Sequence, residues 1–401
     1  AFSLLSPPSP PHYVRPLREL FQWGQASPRA WASAFAAASS LLCAWLDSPV
    51  SHQVRQEWTA PRPLESQVVN PEFHGPGFLA LLLATGLPVN LDIVTNLSQG
   101  FPFSGPLSSH GLWPLRSPPP APGLSIAALR RKAGSSLPRF LASCCSGPRL
   151  QALWETTQKE VASGASVGPF SLSRSGPFPS LPSPPDDLPA AFIPRFAIPH
   201  NSKPPPAVRP IDNARDSGLN STASPQDYVW LPWLDVILST LVWLHAAGGN
   251  PGLGKFDHID AYKVWPARPA DQWAAILLTA IPEGQPVAFR NRALNFGALG
   301  SVWGYCWLSA SLAISLSWAL GFAVLAYVDD FIVVTQTSAD LGGVVRIHQA
   351  LGIPIHTKPE KIHGPRQNTE CPLLGVIVSP GPRQVVSRND PSRVTKLVRL
   401  C

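Results

Sequence analysis

Two apolar, β-rich runs, Val324-Leu325 and Ile332-Val333-Val334, lie on either side of Ala326-Tyr327-Val328-Asp329-Asp330-Phe331. A chain patterned this way folds as a tight hairpin with carboxylates at its tip. Asp tolerates turn conformations, so a plain turn is one explanation of the acids. Two adjacent carboxylates nevertheless repel and raise each other's pKa unless a cation neutralises them. Mg²⁺, a hard ion that prefers oxygen ligands and keeps several waters, suits such a place. A second acid source stands 72 residues upstream in Phe256-Asp257-His258-Ile259-Asp260-Ala261-Tyr262, where Asp257 ends a short apolar run. Either segment alone would pass for ordinary surface. Together they offer carboxylates from two places that can converge on two ions, the arrangement that clamps both oxygens of an in-line phosphoryl displacement.

The remainder of the 401 residues has to supply a scaffold. Hydrophobic residues make up 45% and charged residues 14%, which excludes a disordered polyelectrolyte and is enough for a sizeable core. The 48 prolines, many in runs, require linker or polyproline-like stretches. Residues 1–12 read as a Ser/Pro tail. Trp31, Phe35, Ala38, Leu42 and Trp45, after Ser27-Pro28, give an amphipathic helix. Phe101 to Pro122 reads as a linker or surface loop, 137–165 as helical, and Ser171 to Pro189 as a Pro-rich hinge. Beyond Pro189 the pattern predicts a strand over Phe192–Ile198, a helix over Tyr228–Ala247 and a strand with its exit over Lys255–Val264. A buried helix over Ser301–Leu320 and the two strands of Val324–Val334 follow. This mixture predicts an α+β domain with an antiparallel sheet. Trp307 to Ala326 has about the length of a bilayer span, but four serines interrupt it and the Asp pair follows, so a core helix is expected and no membrane partner.

Charge and cysteine usage narrow the setting. The net charge is +7 with a pI near 9.3, and residues 342–401 hold nine Lys/Arg against three acids. A face that tracks phosphates and a merely solvated basic surface both fit that excess. Six scattered cysteines without a CxxC pair argue against a disulfide framework or a zinc module, and suggest an intracellular setting in cytoplasm or nucleus. A chain without any Met reads as an internal piece of a longer polyprotein.

In order and spacing these segments resemble the fingers and palm of reverse transcriptases, especially those of retroelements. Tyr327-Val328-Asp329-Asp330 is similar to the family's Tyr-x-Asp-Asp box, and Asp257 with Tyr262 to its upstream acid and sugar-sensing aromatic. Asn295-Phe296-Gly297-Ala298-Leu299-Gly300-Ser301 resembles the Phe-Gly-x-x-x-Ser segment near template and incoming nucleotide. Val208-Arg209-Pro210-Ile211-Asp212 with Gly218-Leu219-Asn220 resembles the fingers motif whose Arg holds the triphosphate. Lys361, Gly364-Pro365 and Leu373-Leu374-Gly375 are similar to the lysine-bearing motif and the primer grip. Leu153-Trp154 through Gly168-Pro169 resembles the region before the fingers in some retrotransposon enzymes, including the DIRS-like group. Asn295, Val302 and a fingers box one residue shorter than in retroviruses depart from the pattern; they bear on nucleotide affinity and lineage more than on the reaction.

The resemblance implies a right-handed polymerase fold with fingers and an antiparallel palm sheet over 191–380. The start of a thumb would occupy 381–401, a helix and Pro-rich hinge 151–190, and a helical, Pro-rich region of unassigned role 1–150. It implies an RNA-directed DNA polymerase in which Asp257, Asp329 and Asp330 bind two Mg²⁺ ions, with Mn²⁺ as a substitute. Lys203 and Arg209 would meet the triphosphate, and Tyr262, Phe296 and Gly297 would frame the incoming dNTP. Lys361, or alternatively Lys358, would protonate the leaving group. Partners would be an RNA or DNA template, a primer strand and dNTP, with the oligomeric state open. A bulky Tyr262 beneath the sugar would clash with a ribose 2′-hydroxyl and favour deoxynucleotides. The alternatives are a catalytically inactive retroelement remnant that only binds nucleic acid, an RNA-dependent RNA polymerase, and a membrane or structural protein built on Trp307–Ala326.

Overall fold

The acid-tipped strands and the long apolar helix organise the rest of the chain. The computed structural model describes residues 69–85, 89–144, 149–172, 191–200, 207–246, 252–335, 341–356, 362–364, 370–380 and 385–389, with a few positions between 44 and 56. Lys203, Lys358, Lys361, the helix expected from Ser27, the hinge from 173 onward and all of the expected thumb start but 385–389 lie outside the described residues. The first half forms α1 (Gly75–Thr85), α2 (Asp92–Gln99), β1 (Gly105–Leu107), α3 (Ile126–Cys144), α4 (Leu150–Ala162), β2 (Ser166–Ser171), β3 (Phe192–Pro199) and β4 (Val208–Asp212). Next come β5 (Ala223–Pro225), α5 (Leu234–Ala246), β6 (Gly252–Asp257), β7 (Ile276–Ala280), β8 (Pro286–Asn291) and α6 (Leu299–Leu320). The chain continues through β9 (Ala323–Tyr327), β10 (Asp330–Thr335), α7 (Leu341–Ala350), β11 (Ile362–His363), β12 (Cys371–Leu373), β13 (Val376–Pro380) and β14 (Val385–Asn389).

Strands β11, β6, β10 and β9 form, in that order, a fully antiparallel sheet. Successive side chains of a strand point to opposite faces, and here both faces are dry. Phe331 and Val333 of β10 enter one hydrophobic cluster with Val324, Ala326 and Phe256. Ile332 and Val334 enter another with Ala323, Leu325 and Leu253. That is why these strands read as continuous apolar runs. The first face is covered by α6, whose Trp303, Trp307 and Leu312 are fully buried. The second is covered by α5 through Ile237 and Leu241, and by the small β12-β13-β14 sheet.

Helix α6 is long and apolar enough to cross a bilayer by composition, yet most of it is buried within the protein. Its serines serve the packing. Ser317 Oγ lies 2.9 Å from Val324 O and accepts the Val324 N–H at 2.8 Å, which ties the helix to β9. Gly321, at φ 68°, ends the helix by donating to Ser317 O.

A second, five-stranded sheet has the order β2-β8-β7-β3-β4, with α3 against it through Phe140. It is mixed: β3 runs parallel to β7 and the other pairs are antiparallel. Parallel neighbours need a long crossover, and the chain between β3 and β7 carries β4 to β6 before returning.

Three local expectations change. The Phe101–Pro122 stretch is no free linker. Phe101, Phe103 and Leu107 are fully buried, and Phe101 exchanges backbone hydrogen bonds with Pro266 and Arg268. Gly300 and Gly304 make the notch for it on α6, since a Cβ on either would come within 2.7 Å of Pro102 O or 2.6 Å of the Phe101 ring. Helix α5 starts at Leu234 rather than at Tyr228. Pro232 disfavours helix at the residue before it, and Tyr228 N–H instead donates to Pro114 O. The helical reading of 137–165 resolves into the end of α3, which starts earlier, and α4, which stops at Ala162 just before β2.

Candidate active site

The register of β6, β10 and β9 decides where the acids stand. Asp330 opens β10 and pairs with Asp257, the last residue of β6, on one side and with Tyr327 on the other. Val328 and Asp329 are therefore a two-residue turn. Val328 holds it at φ 57°, an outlier for a β-branched residue and a mark of local strain. His258 N–H donates to Asp329 O at 3.3 Å, which joins the exit of β6 to the turn. Asp257 is buried, Asp330 is half-buried and Asp329 is exposed. Burial raises the Asp330 carboxyl to about 7, a hydrogen bond to Asp257 and the charges of Asp257 and Asp329 add to this, and only Lys255 opposes it. Lys255 Nζ lies 3.3 Å from Asp330 Oδ1 and 3.9 Å from Asp257 Oδ1.

Beside the turn lies an aromatic wall. Tyr262 is 7% exposed, with ring centroids 4.9 Å from Phe296 and 5.1 Å from Tyr305. Tyr305 OH is 2.8 Å from His258 Nδ1. Burial pushes the phenols of Tyr262 and Tyr305 and the Cys306 thiol up, the last to about 12, and the Asp329 charge adds to each. Phe296, by contrast, is 40% exposed at the rim. Gly297 turns at φ 97°, with Asp212 O where a Cβ would sit. Asn220 clamps the same segment, donating to Gly297 O at 2.8 Å and accepting from Leu299 N–H at 2.7 Å. The segments around Asp257, Asp329, Tyr262, Phe296 and Asn220 are thus brought together. Arg209 is exposed on β4.

Lys263, the residue after Tyr262, belongs to a buried ion cluster. Arg195 forks onto Asp212 at 2.7 and 3.1 Å and reaches Glu160 at 2.9 Å. Lys263, next to Tyr262, lies 3.2 Å from Glu160 and 3.7 Å from Asp212. Burial opposes charge on both Arg195 and Asp212, yet their mutual attraction, with Glu160 on Arg195 and Lys263 on Asp212, holds the guanidinium pKa up and the carboxyl pKa down. Two cations and two anions balance, which makes the burial tolerable. Sequence reasoning missed Arg195, Glu160, Lys263 and Lys255. Lys255 alone left a signal, standing two residues before Asp257 on one strand face.

Among the described residues no group of three or more His, Cys, Asp or Glu side chains is gathered as a metal cluster. The Asp329 charge is felt by Tyr262, Tyr305, Cys306 and Asp330, and Asp330 in turn meets Asp257 and Lys255. The donor chemistry still fits a hard divalent ion: three carboxylates occupy a turn and the adjoining ladder pair, and a bound cation would offset the burial and the neighbouring charges that lift Asp330.

No family model matches the chain, and no curated protein matches it. Among solved structures it is similar to a foamy viral protease-reverse transcriptase in complex with double-stranded DNA, at 17% identity and a TM-score of 0.43. The match covers 65% of this chain and 40% of that one, so the chain spans well under half of that neighbour's length.

Proposed function

We propose that the chain is the fingers and palm of an RNA-directed DNA polymerase of a retroelement, adding deoxynucleotides to a primer 3′-hydroxyl. The observation that carries this reading is the ladder pairing of Asp257 with Asp330 at a two-residue turn bearing Asp329, with the Tyr262–Phe296 wall alongside. Asp257, Asp329 and Asp330 would hold two Mg²⁺ ions, which when bound supply charge stabilisation for phosphoryl transfer. The residues of the chain do the positioning. Tyr262 stands under the sugar, Phe296 and Gly297 shape the nucleotide's place, and Asn220 keeps that segment fixed. Arg209, exposed on β4, offers a planar fork to phosphate, with Lys203 as a point charge. Lys361 donates a proton to the leaving group.

One observation favours a second reading. Lys255 already pairs with Asp330, which suits an inactive remnant that binds nucleic acid without copying it. Primer extension on an RNA template with Mg²⁺ separates the two. The wild type should extend and Asp329→Ala should not; equal signals from both would overturn the catalytic assignment.

A further inference from the structure

We propose that the Lys255 ammonium is a built-in counter-cation of the acidic hairpin: it holds Asp330 and weakens the site's affinity for a divalent ion. The inference deepens the function proposed above and rests on it for the identity of the ion. Lys255 and Asp257 are two residues apart on β6 and leave the strand on the same face. In the ladder Lys255 faces Ile332, so Asp330 is its diagonal neighbour, a separation that a long side chain spans. The side chain does span it, with Nζ 3.3 Å from Asp330 Oδ1 and 3.9 Å from Asp257 Oδ1. The Lys255 side chain is 14% exposed and that of Asp330 31%, so the contact is partly shielded from solvent.

An ammonium and a divalent ion compete for the same oxygens and repel each other. Where Lys255 sits, its charge only partly offsets the burial and like charges at Asp330, and an ion can engage Asp330 Oδ1 only if the ammonium swings aside. The lysine thereby sets a threshold of ion concentration for loading the site.

Mn²⁺ is the probe, with its binding to the full chain followed by electron paramagnetic resonance. Lys255→Met, which keeps the stem and removes the charge, should tighten Mn²⁺ binding by about tenfold or more, and Lys255→Arg should stay within about twofold of wild type. Lys255→Gln provides a second neutral variant, and a thermal melt of each protein confirms folding. Mn²⁺ binding in both neutral variants that is no tighter than in wild type overturns the proposal, including the case in which none of the proteins binds. Primer extension by the wild type is scored in parallel. Tightened Mn²⁺ binding without wild-type extension sinks the polymerase reading and leaves the counter-cation. Wild-type extension with unchanged Mn²⁺ binding in the neutral variants does the reverse.

Discussion

A tyrosine ring held between Phe296 and Tyr305 and almost wholly buried has little room to yield to a ribose 2′-hydroxyl. Under the proposed function Tyr262→Ala should raise ribonucleotide incorporation by one to two orders of magnitude, roughly the effect of relieving 1–3 kcal/mol of clash. Ribonucleotide-to-deoxynucleotide ratios in single-nucleotide extension check it, and an unchanged ratio would remove Tyr262 from sugar selection. A different test falls to His348, packed against Phe256, Phe331 and His258 behind the acidic hairpin. Burial lowers its imidazole from 6.5 to about 4. Between those values the unfolded chain binds the proton and the folded one does not. The stability from neutral His348 is therefore full above pH 6.5 and is lost as pH falls toward 4, by about 3 kcal/mol in all. His348→Asn, which keeps a donor near Val344 O, should flatten the acid limb of a stability-versus-pH curve measured by denaturant unfolding. The limb should not vanish, because burial also holds His258 low.

Elements meet at the ion cluster. Arg195 comes from β3, Asp212 from β4, Glu160 from α4, and Lys263 from the turn after β6 that also carries Tyr262. Lys263→Met leaves two buried carboxylates on one guanidinium and should destabilise the fold by about 3–5 kcal/mol. Lys263→Met combined with Glu160→Gln restores the balance, so its loss should fall short of the summed single losses by about 1–3 kcal/mol. Urea denaturation of the four proteins closes the cycle, and strict additivity would show that the charges do not act as a unit. This cluster was not legible in the sequence. Its four members span 160 to 263, share no period, and would each pass for a surface charge until β3, β4 and α4 are packed. The acidic hairpin was legible, because strand alternation and a two-residue turn are local properties of 324–334.

Over the whole molecule the excess of positive charge, +7 in total, is concentrated after residue 342. Part of it is engaged: Arg388 pairs with Glu370 at 2.6 Å. If template and primer are held through their backbones, as copying any sequence requires, affinity should fall steeply with salt. Neutralising about six phosphates predicts roughly a thousandfold loss between 50 and 200 mM salt. Fluorescence anisotropy with a labelled primer–template measures it, and a flat salt dependence would sink backbone recognition.

Local order needed only the sequence: the strand pair around Asp329-Asp330, the strand before Asp257, the helix before Ala323, and an α+β mixture. Each is a matter of period, turn residues and apolar run length, which neighbours within a dozen positions settle. What only the tertiary structure decided is which separated pieces touch. Phe101–Leu107 looked like a linker because composition registers Pro, Gly and Ser, whereas its burial depends on a notch at Gly300 and Gly304 almost two hundred residues away. Lys255 meets Asp330 only because the β6–β10 register sets them diagonal, and a one-residue slip would turn every side chain of β10 to the other face. Register and packing are properties of pairs of segments, and one segment read alone does not contain them.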